Sequence, residues 1–343
     1  MTTPKENSES NKLLRFGACA SGICFCYWFY GIMQEKLLTH SKLGATFVLV
    51  TQTVANIFVA LMWQKFEGMG SPKSSRLSTS GRVLHHPLLL LTSSTYVFAM
   101  ACSNEALQFV SYPTAVLAKS CKLIPTMIMG WLLEKRSYSV QQWASALFIS
   151  AGISLFHMSR IHHHPGTEVV SFHDEAWKGM LLLCISLLMD GFLGACQGVL
   201  KREDPIGKKR PPTAVETMLY INIYALMFLI PMAISSGQMK AGLKILQQDR
   251  TLFYSILVLN GVVSIGQIFI FLTITWYSSL VCTTITTTRK FFTILFSVLY
   301  FGHRFSTNQW IAVCLVFGGL YLSIVAKDAP QPNSEKSSHA KVQ

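Results

Sequence analysis

Long apolar segments recur along nearly the whole chain and are separated by short polar connections. Each segment contains about 20 mostly apolar residues, the length that a helix needs to cross roughly 30 Å of hydrocarbon. The pattern predicts ten transmembrane helices, near residues 15–35, 45–66, 87–109, 113–133, 140–158, 178–200, 216–236, 252–274, 279–301 and 307–326. The expected fold class is therefore all-α, a polytopic membrane protein surrounded by the lipid bilayer.

Polar segments divide the predicted helices into units. Both ends of the chain are rich in Ser, Asn and Lys, a composition typical of segments without a packed core. In chain order, the predicted units are a cytosolic N-tail (1–14), a first five-helix repeat (15–158), a lumenal loop (159–177), the first helix of a second repeat (178–200), a cytosolic loop (201–215), the remainder of the second repeat (216–326) and a cytosolic C-tail (327–343).

The two predicted halves share sequence features. A shift of 167 positions aligns Gln142-Trp143 with Gln309-Trp310, Gly152 with Gly319, and Lys122 with Arg289. A shift of 163 positions aligns Gly31-x-x-Gln34 with Gly194-x-x-Gln197. Because five is an odd number of crossings, the second half enters the membrane in the opposite orientation. The sequence therefore predicts two inverted repeats, an architecture typical of transporters that bind substrate near the membrane midplane.

Composition and charge support a membrane protein. Apolar residues make up 51% of the 343 residues and charged residues only 13%, whereas about a quarter of a soluble domain is charged. The formal net charge of +13 alone would suggest a nucleic-acid partner, but its distribution argues against one. The predicted cytosolic side carries 17 basic residues, namely Lys5, Lys12, Arg15, Lys65, Lys73, Arg76, Arg82, Lys135, Arg136, Lys201, Arg202, Lys208, Lys209, Arg210, Lys327, Lys336 and Lys341.

The opposite loops carry far fewer basic residues. They hold 8, namely Lys36, Lys42, Arg160, Lys178, Lys240, Lys244, Arg250 and Arg304. An excess of Lys and Arg marks the cytosolic side of a membrane protein. Both termini are therefore expected in the cytosol.

The residues that remain inside the spans do not indicate an enzyme. All nine cysteines fall within predicted spans, so no disulfide framework follows. The spans contain no paired carboxylates, nucleophile elbow, zinc-ligand spacing or Gly-rich phosphate loop. The run His162-His163-His164 is expected to be a solvated lumenal loop. We therefore predict no enzyme activity, no cofactor and no metal site.

Four cations lie inside predicted spans and carry the main functional signal. They are Lys119, Lys122, Arg289 and Lys290. Each charge at the bilayer centre costs about 2.5–3.5 kcal/mol, so it is expected to face a cavity or a partner. Lys119 and Lys122 are three residues apart and share one helix face. Pro113 and Pro125 lie on either side of them and are expected to bend that helix.

The chemistry of this cationic group suits phosphate. Arg binds phosphate oxygens bidentately and Lys supplies a mobile point charge, and the hydroxyl of Thr286 lies one turn before Arg289. The alternative is a structural ion pair with Glu105 or Asp190. Because the four cations outnumber these acids, a bound anion is still needed to neutralise the site.

Further polar residues complete the candidate substrate site. Gln34 and Glu35 end the first span and are candidates to contact a base, a sugar or the cations. The remaining candidates are Asn104, Gln108 and Tyr112 near the end of the third span, and Gln267 in the eighth. Helix–helix hydrogen bonds are the alternative role for such residues. We expect Gly191, Gly194 and Gly198 to let neighbouring helices approach closely.

Several sequence motifs resemble those of the nucleotide-sugar transporter family. They are Tyr27-Trp-Phe-Tyr-Gly-Ile-Met-Gln-Glu-Lys36, Ala106-Leu-Gln-Phe-Val-Ser-Tyr-Pro113, Leu117-Ala-Lys-Ser-Cys-Lys122, Gly266-Gln-Ile-Phe-Ile-Phe271 and Thr286-Thr-Thr-Arg-Lys-Phe-Phe-Thr293. The resemblance extends over about residues 15–326 and is greatest for the UDP-galactose transporter-related and ATP/ADP-exchanging subgroup of the endoplasmic reticulum. It implies the ten-helix drug/metabolite transporter fold.

The resemblance also implies roles for the candidate residues. Lys119, Lys122, Arg289 and Lys290 would hold phosphates, while Glu35, Gln267 and nearby aromatic rings would shape the nucleoside end of the site. Members of the subgroup often end in a dilysine retrieval signal. This chain has Lys341 third from its end, but His339 and Ala340 precede it. The resemblance implies the endoplasmic reticulum membrane as the location. Because the second lysine of the signal is replaced, the Golgi membrane is the alternative.

Together these observations predict an antiporter. It would exchange UDP-galactose or UDP-glucose for a nucleotide across an endomembrane by alternating access. An ATP/ADP exchanger of the endoplasmic reticulum is the first alternative, because phosphate-binding cations do not identify the base. An anion channel is a more distant alternative. The sequence leaves the oligomeric state open.

Overall fold

Helices dominate the computed structural model of the chain, which describes residues 4–40, 43–70, 83–106, 108–110, 115, 118–119, 121–163, 176–202, 209–300 and 307–328. Its helices are α1 (Pro4–His40), α2 (Ala45–Gly70), α3 (His86–Ala106), α4 (Leu123–Glu134), α5 (Val140–His163), α6 (Ala176–Leu200), α7 (Ala214–Ser235), α8 (Gln238–Gln248), α9 (Arg250–Trp276), α10 (Ser279–Tyr300) and α11 (Thr307–Asp328). The strands are β1 (Val83–Leu84) and β2 (Lys209–Arg210).

The all-helical class predicted from the hydrophobic pattern is confirmed. Every predicted span overlaps one of these helices, and α8 is the additional one. Four helices of the described part are long and apolar enough to cross a membrane: Ala45–Phe66, Trp177–Leu200, Ala214–Ser235 and Arg250–Trp276. The chain therefore has the character of a polytopic membrane protein. The number of ten crossings stays a prediction.

Helix α1 is longer than the span predicted within it. It begins at Pro4, so residues 4–14 are helical, whereas the sequence predicted an unstructured tail. A proline at a helix start is favourable because its missing N–H would have no partner there. The 37 residues of α1 extend about 55 Å at 1.5 Å per residue. The helix is thus longer than the hydrocarbon layer is thick, and apolar length cannot detect its polar extension.

The chain between Lys119 and Leu123 departs from regular α-helix. Pro125 lacks the N–H that would bond the carbonyl of Cys121 four residues earlier. That carbonyl instead accepts from the N–H of Ile124 (3.1 Å), and Lys122 N–H bonds the Lys119 carbonyl (3.4 Å). Side chains three residues apart eclipse one another in such tight turns. Lys119 and Lys122 therefore still share one side of the chain, and tight i→i−3 hydrogen bonds replace the regular helix just before Pro125.

Helix α8 is an amphipathic element in a segment expected to be a loop. Its Gln238 side chain accepts a hydrogen bond from the backbone N–H of Thr46 (3.0 Å). Gly242 packs directly onto the ring of Phe47, and Ile245 joins the same apolar cluster. Gln238, Gly242 and Ile245 are four and three residues apart and face α2 and its neighbours, a spacing that is typical of an amphipathic helix.

Strands β1 and β2 pair in parallel and connect the segments that precede α3 and α7. Next to them, Glu216 closes a capping box at the start of α7: its carboxylate accepts from Thr213 N–H (2.9 Å) and Thr213 Oγ1 accepts from Glu216 N–H (3.2 Å). The same carboxylate pairs with the Arg210 guanidinium (2.6 Å). The strand pairing joins the two predicted cytosolic loops, and the contacts of Glu216 fix the segment from Arg210 to the start of α7.

Helices α5 and α11 pack closely through small residues. A Cβ built at Gly152 would lie 2.9 Å from the carbonyl oxygen of Ala312, and one at Gly319 would lie 3.0 Å from that of Ser145. The Ser145 hydroxyl also donates to the Gly319 carbonyl (2.8 Å). Each glycine thus lets the backbone of the other helix approach, as small residues do in membrane helix pairs.

Candidate functional site

Close packing of α4 against α6 forms the first part of the site. A Cβ built at Gly191 would lie 2.6 Å from the carbonyl oxygen of Pro125, and one at Gly194 would lie 2.6 Å from the Ser279 hydroxyl. Gly198 likewise contacts the side chain of Glu134. The predicted role of these three glycines in close helix approach is therefore confirmed. The approach brings the residue before Gly191, Asp190, next to Lys122.

Lys122 and Asp190 form an ion pair at the α4–α6 contact. Lys122 Nζ lies 3.2 Å from Asp190 Oδ1, and the two side chains are 33% and 19% exposed. Lys119 is partly buried and interacts electrostatically with both residues. The alternative that Lys122 pairs with Asp190 is thus confirmed. Among the described residues, this one carboxylate therefore pairs with Lys122 and also lies within electrostatic reach of Lys119.

An aromatic platform from α1 forms the second part of the site. The Arg289 guanidinium lies 5.6 Å from the centre of the Tyr27 ring, an arrangement typical of cation–π contacts. The Tyr27 hydroxyl donates to Gln267 Oε1 (3.2 Å). At Gly266, a Cβ would lie 2.9 Å from the Tyr27 ring. The missing side chain of Gly266 therefore makes room for the platform beneath Arg289.

Two polar residues of the site, Gln52 and Tyr96, were not among the sequence candidates. Gln52 Nε2 donates to the hydroxyl of Tyr30 (3.2 Å), and the Tyr30 ring meets Tyr27 edge-on at 6.1 Å. Tyr96 interacts electrostatically with Tyr30 and Asp190. Gln52 has Asn56 four residues later on the same face of α2, and Asn56 donates to Asn222 (3.1 Å). The presence of Gln52 and Asn56 on one face of a mostly apolar helix is the sequence feature that could have indicated Gln52.

Helix α10 connects the two parts of the site. It carries Arg289 and packs against α1, α4 and α6. Ser279, at the start of α10, lies against Gly194 of α6, and Arg289 lies over the Tyr27 ring of α1. The Lys122–Asp190 pair at the α4–α6 contact and Arg289 therefore belong to helices that pack together at α10.

Thr286 has its hydroxyl turned to its own helix. It donates to the carbonyls of Cys282 (3.0 Å) and Thr283 (3.1 Å), and Thr288 makes the equivalent bond to Thr284 (2.6 Å). Hydroxyls that bond back to the preceding turn satisfy themselves inside an apolar layer. In this conformation Thr286 therefore does not offer its proton to an anion.

The other predicted site residues differ in what the structure says of them. Gln108 is exposed and donates to the Glu105 carboxylate (3.0 Å), a contact separate from the cations. Asn104 is partly buried near the end of α3. The side chains of three candidates and the whole of a fourth lie outside the described residues, namely Gln34, Glu35, Lys290 and Tyr112.

A polar cluster lies at the predicted cytosolic end of the site. Lys201 Nζ donates to the Tyr277 carbonyl (2.7 Å), Arg202 donates to the Glu134 carbonyl, and Arg136 lies 3.9 Å from the Glu134 carboxylate. Burial, together with the nearby positive charge of Arg136, lowers the pKa of Lys201. The ends of α4 and α6 are thereby joined to the turn between α9 and α10.

An apolar cavity of about 460 Å³ lies outside the polar region, between α3, α6 and α7. Its lining residues are Ser94, Thr95, Val97, Phe98, Ala101, Met189, Phe228 and Met232. The rings of Phe98 and Phe228 are exposed, as expected of side chains that face lipid. No charged residue lines this cavity, so we do not assign it to an anion.

Apolar spanning helices around a shared polar region of cations and aromatic rings define a class: a polytopic membrane transporter for anions. Comparison with known proteins specifies the family. The chain belongs to the UAA transporter family, whose model matches residues 15–327. The predicted resemblance to the nucleotide-sugar transporter family is confirmed, and the chain is a transporter of the nucleotide-sugar or nucleotide class.

Relatives match over almost the full chain. Solute carrier family 35 member B1 of Rattus norvegicus is 35% identical over 320 residues, covering 90% of this chain and 92% of the relative. The protein of the same name from Danio rerio is 34% identical over 345 residues and covers 98% of both. The one from Dictyostelium discoideum is 35% identical, covering 91% of this chain and 76% of the relative.

A solved crystal structure shares the fold. It superposes with a TM-score of 0.62 at 13% identity, covering 90% of this chain and 99% of that one. At this identity the likeness concerns the backbone arrangement alone. The helices described above therefore follow an arrangement that is known from experiment.

Proposed function

We propose that the chain exchanges a nucleotide sugar for a nucleotide across an endomembrane by alternating access. UDP-galactose or UDP-glucose moving against a uridine nucleotide is the leading substrate pair, and ATP moving against ADP is the alternative. The observation that carries the proposal is the placement of Arg289 over the Tyr27 ring on a helix, α10, that also packs against α4 and α6, whose contact holds the Lys122–Asp190 pair.

The geometry supports different roles for the two kinds of residue: cations bind the phosphates and aromatic rings contact the base. Cations from two different helices attract a phosphate chain from two sides, with Arg289 able to bind two oxygens and Lys122 one. The rings of Tyr27 and Tyr30, held by Gln267 and Gln52, offer planar faces to a base. In this proposal Lys290 assists at the phosphate, and Glu35 and Gln34 contact the nucleoside or sugar.

Alternating access requires two parts that move against each other, and we propose two inverted five-helix repeats for this role. Helix packing supports the proposal. In the proposed repeats, α1, α2, α3 and α4 correspond to α6, α7, α9 and α10. The pairs α1–α9, α1–α10 and α2–α9 then have as counterparts α6–α3, α6–α4 and α7–α3. Both members of each comparison pack together. Helix α8 lies outside the repeats. Gly152 and Gly319 occupy equivalent positions at the α5–α11 contact.

We propose the endoplasmic reticulum membrane as the location, with the Golgi membrane as the alternative and both termini in the cytosol. The excess of basic residues in one set of loops supports the orientation. The cluster around Lys201 and Glu134 belongs to that side, as do the paired strands before α3 and α7.

Exchange by purified protein in liposomes tests the proposal. Vesicles are loaded with UMP, ADP or no nucleotide, and uptake of labelled UDP-galactose, UDP-glucose and ATP is measured from outside. We expect uptake only when the vesicle contains a nucleotide. Uptake into UMP-loaded vesicles identifies the uridine exchanger, and ATP uptake into ADP-loaded vesicles identifies the alternative. Equal uptake into empty vesicles would indicate a channel and contradict exchange.

Thermal stability in detergent tests the binding step by itself. A di- or triphosphate should relieve the repulsion between the cations, which little water screens. Binding to the folded state alone adds about 2.7 kcal/mol of stability at a hundredfold excess over Kd. UDP or ADP should therefore raise the melting temperature more than uridine or adenosine, and high salt should reduce the difference. Equal shifts for nucleosides and their phosphates would exclude a phosphate site.

A further inference from the structure

We propose that Asp190 is an internal competitor for the substrate: it pairs with Lys122 when the site is empty, and a substrate phosphate displaces it. The inference rests on the proposed function, since it concerns the same site. Asp190 is the carboxylate that contacts the predicted cations in the described part of the chain, at 3.2 Å from Lys122 and within electrostatic reach of Lys119.

The ion pair is weak enough to be exchanged. One carboxylate oxygen makes the contact, and both side chains keep part of their surface exposed. A pair joined by one oxygen contributes less than a two-oxygen pair with arginine, and two flexible side chains must be ordered to form it. The substrate therefore meets a lysine whose partner can leave at small cost.

The pair is also not what holds the helices together. Helices α4 and α6 meet through the backbone of Pro125 against Gly191, and Gly194 contacts Ser279. Removing the charge of Asp190 leaves these contacts unchanged. A purely structural role for the pair would duplicate packing that the glycines already provide.

Charge makes the competition unavoidable. A phosphate at Lys122 would lie beside the Asp190 carboxylate, and like charges in one site repel each other strongly. Asp190 must therefore separate from Lys122 when the substrate binds and can return when it leaves. Such a competitor weakens binding and speeds release, which an exchanger needs at the end of each half-cycle.

Replacement of Asp190 by an uncharged residue of similar shape tests the inference. Asp190→Asn should lower the Kd of UDP or ADP, whichever binds the wild-type protein, about fivefold, the equivalent of the loss of a competing contact of about 1 kcal/mol. The Kd of the corresponding nucleoside should not change. The dependence of the nucleotide Kd on salt should become steeper, and the maximal exchange rate in liposomes should fall. Asp190→Ser serves as a second variant that removes the acid.

Two further variants make the result specific. In a Lys122→Gln background the gain from Asp190→Asn should disappear, since the competition requires both partners. Glu216→Gln is the matched control: it removes a carboxylate that is as partly buried as Asp190 and breaks its ion pair with Arg210, away from the cations, so it should leave the nucleotide Kd unchanged.

The outcomes separate the inference from the function on which it rests. Unchanged or weaker nucleotide binding by folded Asp190→Asn and Asp190→Ser would overturn the competitor role while leaving the transporter intact. A fivefold gain that persists in the Lys122→Gln background would also overturn it. Failure of the wild-type protein to bind any nucleotide would overturn the proposed function and this inference together.

Discussion

Lys122 and Arg289 are held in the site by different kinds of contact. Lys122 pairs with the carboxylate of Asp190, whereas the Arg289 guanidinium lies over the Tyr27 ring. A ring attracts a cation by about 0.5–2 kcal/mol and does not cancel its charge. The two residues come from different halves of the chain, so a phosphate between them would contact both halves.

Removal of either cation is the direct test of a phosphate site. Lys122→Ala and Arg289→Ala should each abolish nucleotide exchange in liposomes, because each removes a charge that the substrate needs. Both variants should keep a sharp melting transition, because α4 and α6 pack through Gly191 against Pro125 and not through these charges. Lys244→Ala, which removes an exposed charge from α8, should exchange normally. Wild-type uptake by either well-expressed site variant would show that its charge is structural.

Residue types inside an apolar segment explain which site residues the sequence reveals. A lysine or arginine there is conspicuous because its charge is costly, and Lys119, Lys122 and Arg289 were identified for that reason. The role of Tyr96 depends on which helix α3 packs against, and a tyrosine is unremarkable in a membrane helix. The back-bonded hydroxyl of Thr286 depends on its rotamer, which no sequence pattern reports.

Glycines decide how closely the helices of this protein approach. At Gly319 a Cβ would lie 2.8 Å from Ile149 Cγ1 and 3.0 Å from two backbone atoms of α5, the Ile149 nitrogen and the Ser145 carbonyl oxygen. A backbone cannot turn away as the end of a flexible side chain can. Its neighbour Gly318 has nothing within 4 Å of a Cβ. A side chain therefore has room at Gly318 but not at Gly319.

This difference gives a paired test of the α5–α11 contact. Gly319→Ala should destabilise the protein by about 1–3 kcal/mol, because α11 must shift away from α5. Gly318→Ala should be neutral or slightly stabilising, since alanine favours helix over glycine by about 1 kcal/mol. Melting temperatures in detergent at equal protein concentration measure both effects. Equal shifts would show that α5 and α11 do not meet at Gly319.

The sequence predicted the helices where they are long and apolar, and missed them where they are polar or short. Each predicted span overlaps a helix, although the span predicted at 113–133 overlaps α4 only from Leu123 onward. Apolar length missed the extension of α1 to Pro4, since a helix that leaves the bilayer becomes polar. It also missed α8, which has only 11 residues and an apolar face that packs on Phe47. The irregular hydrogen bonds near Lys122 follow from Pro125, which the sequence marks as unable to continue a regular helix.

The orientation of the whole molecule remains a prediction, and protease protection measures it. The distribution of basic residues and the even number of predicted spans require both termini on the cytosolic side. Epitope tags at the two ends should each be cleaved in intact microsomes. A tag in the loop that contains His164 should be protected until detergent is added. Protection of either terminal tag would contradict the even-span topology.

The contact between α5 and α11 also bears on how the protein is made. The hydrogen bond from Ser145 to Gly319 joins residues 174 positions apart, and α11 is the last helix of the described chain to leave the ribosome. At roughly 5–20 residues per second, the small-residue face of α5 waits on the order of ten to thirty seconds for its partner. During that time the face must be covered by lipid, by a temporary neighbour or by an insertion chaperone. Truncations that remove α11 should therefore be degraded early, even though all residues of the polar site are present.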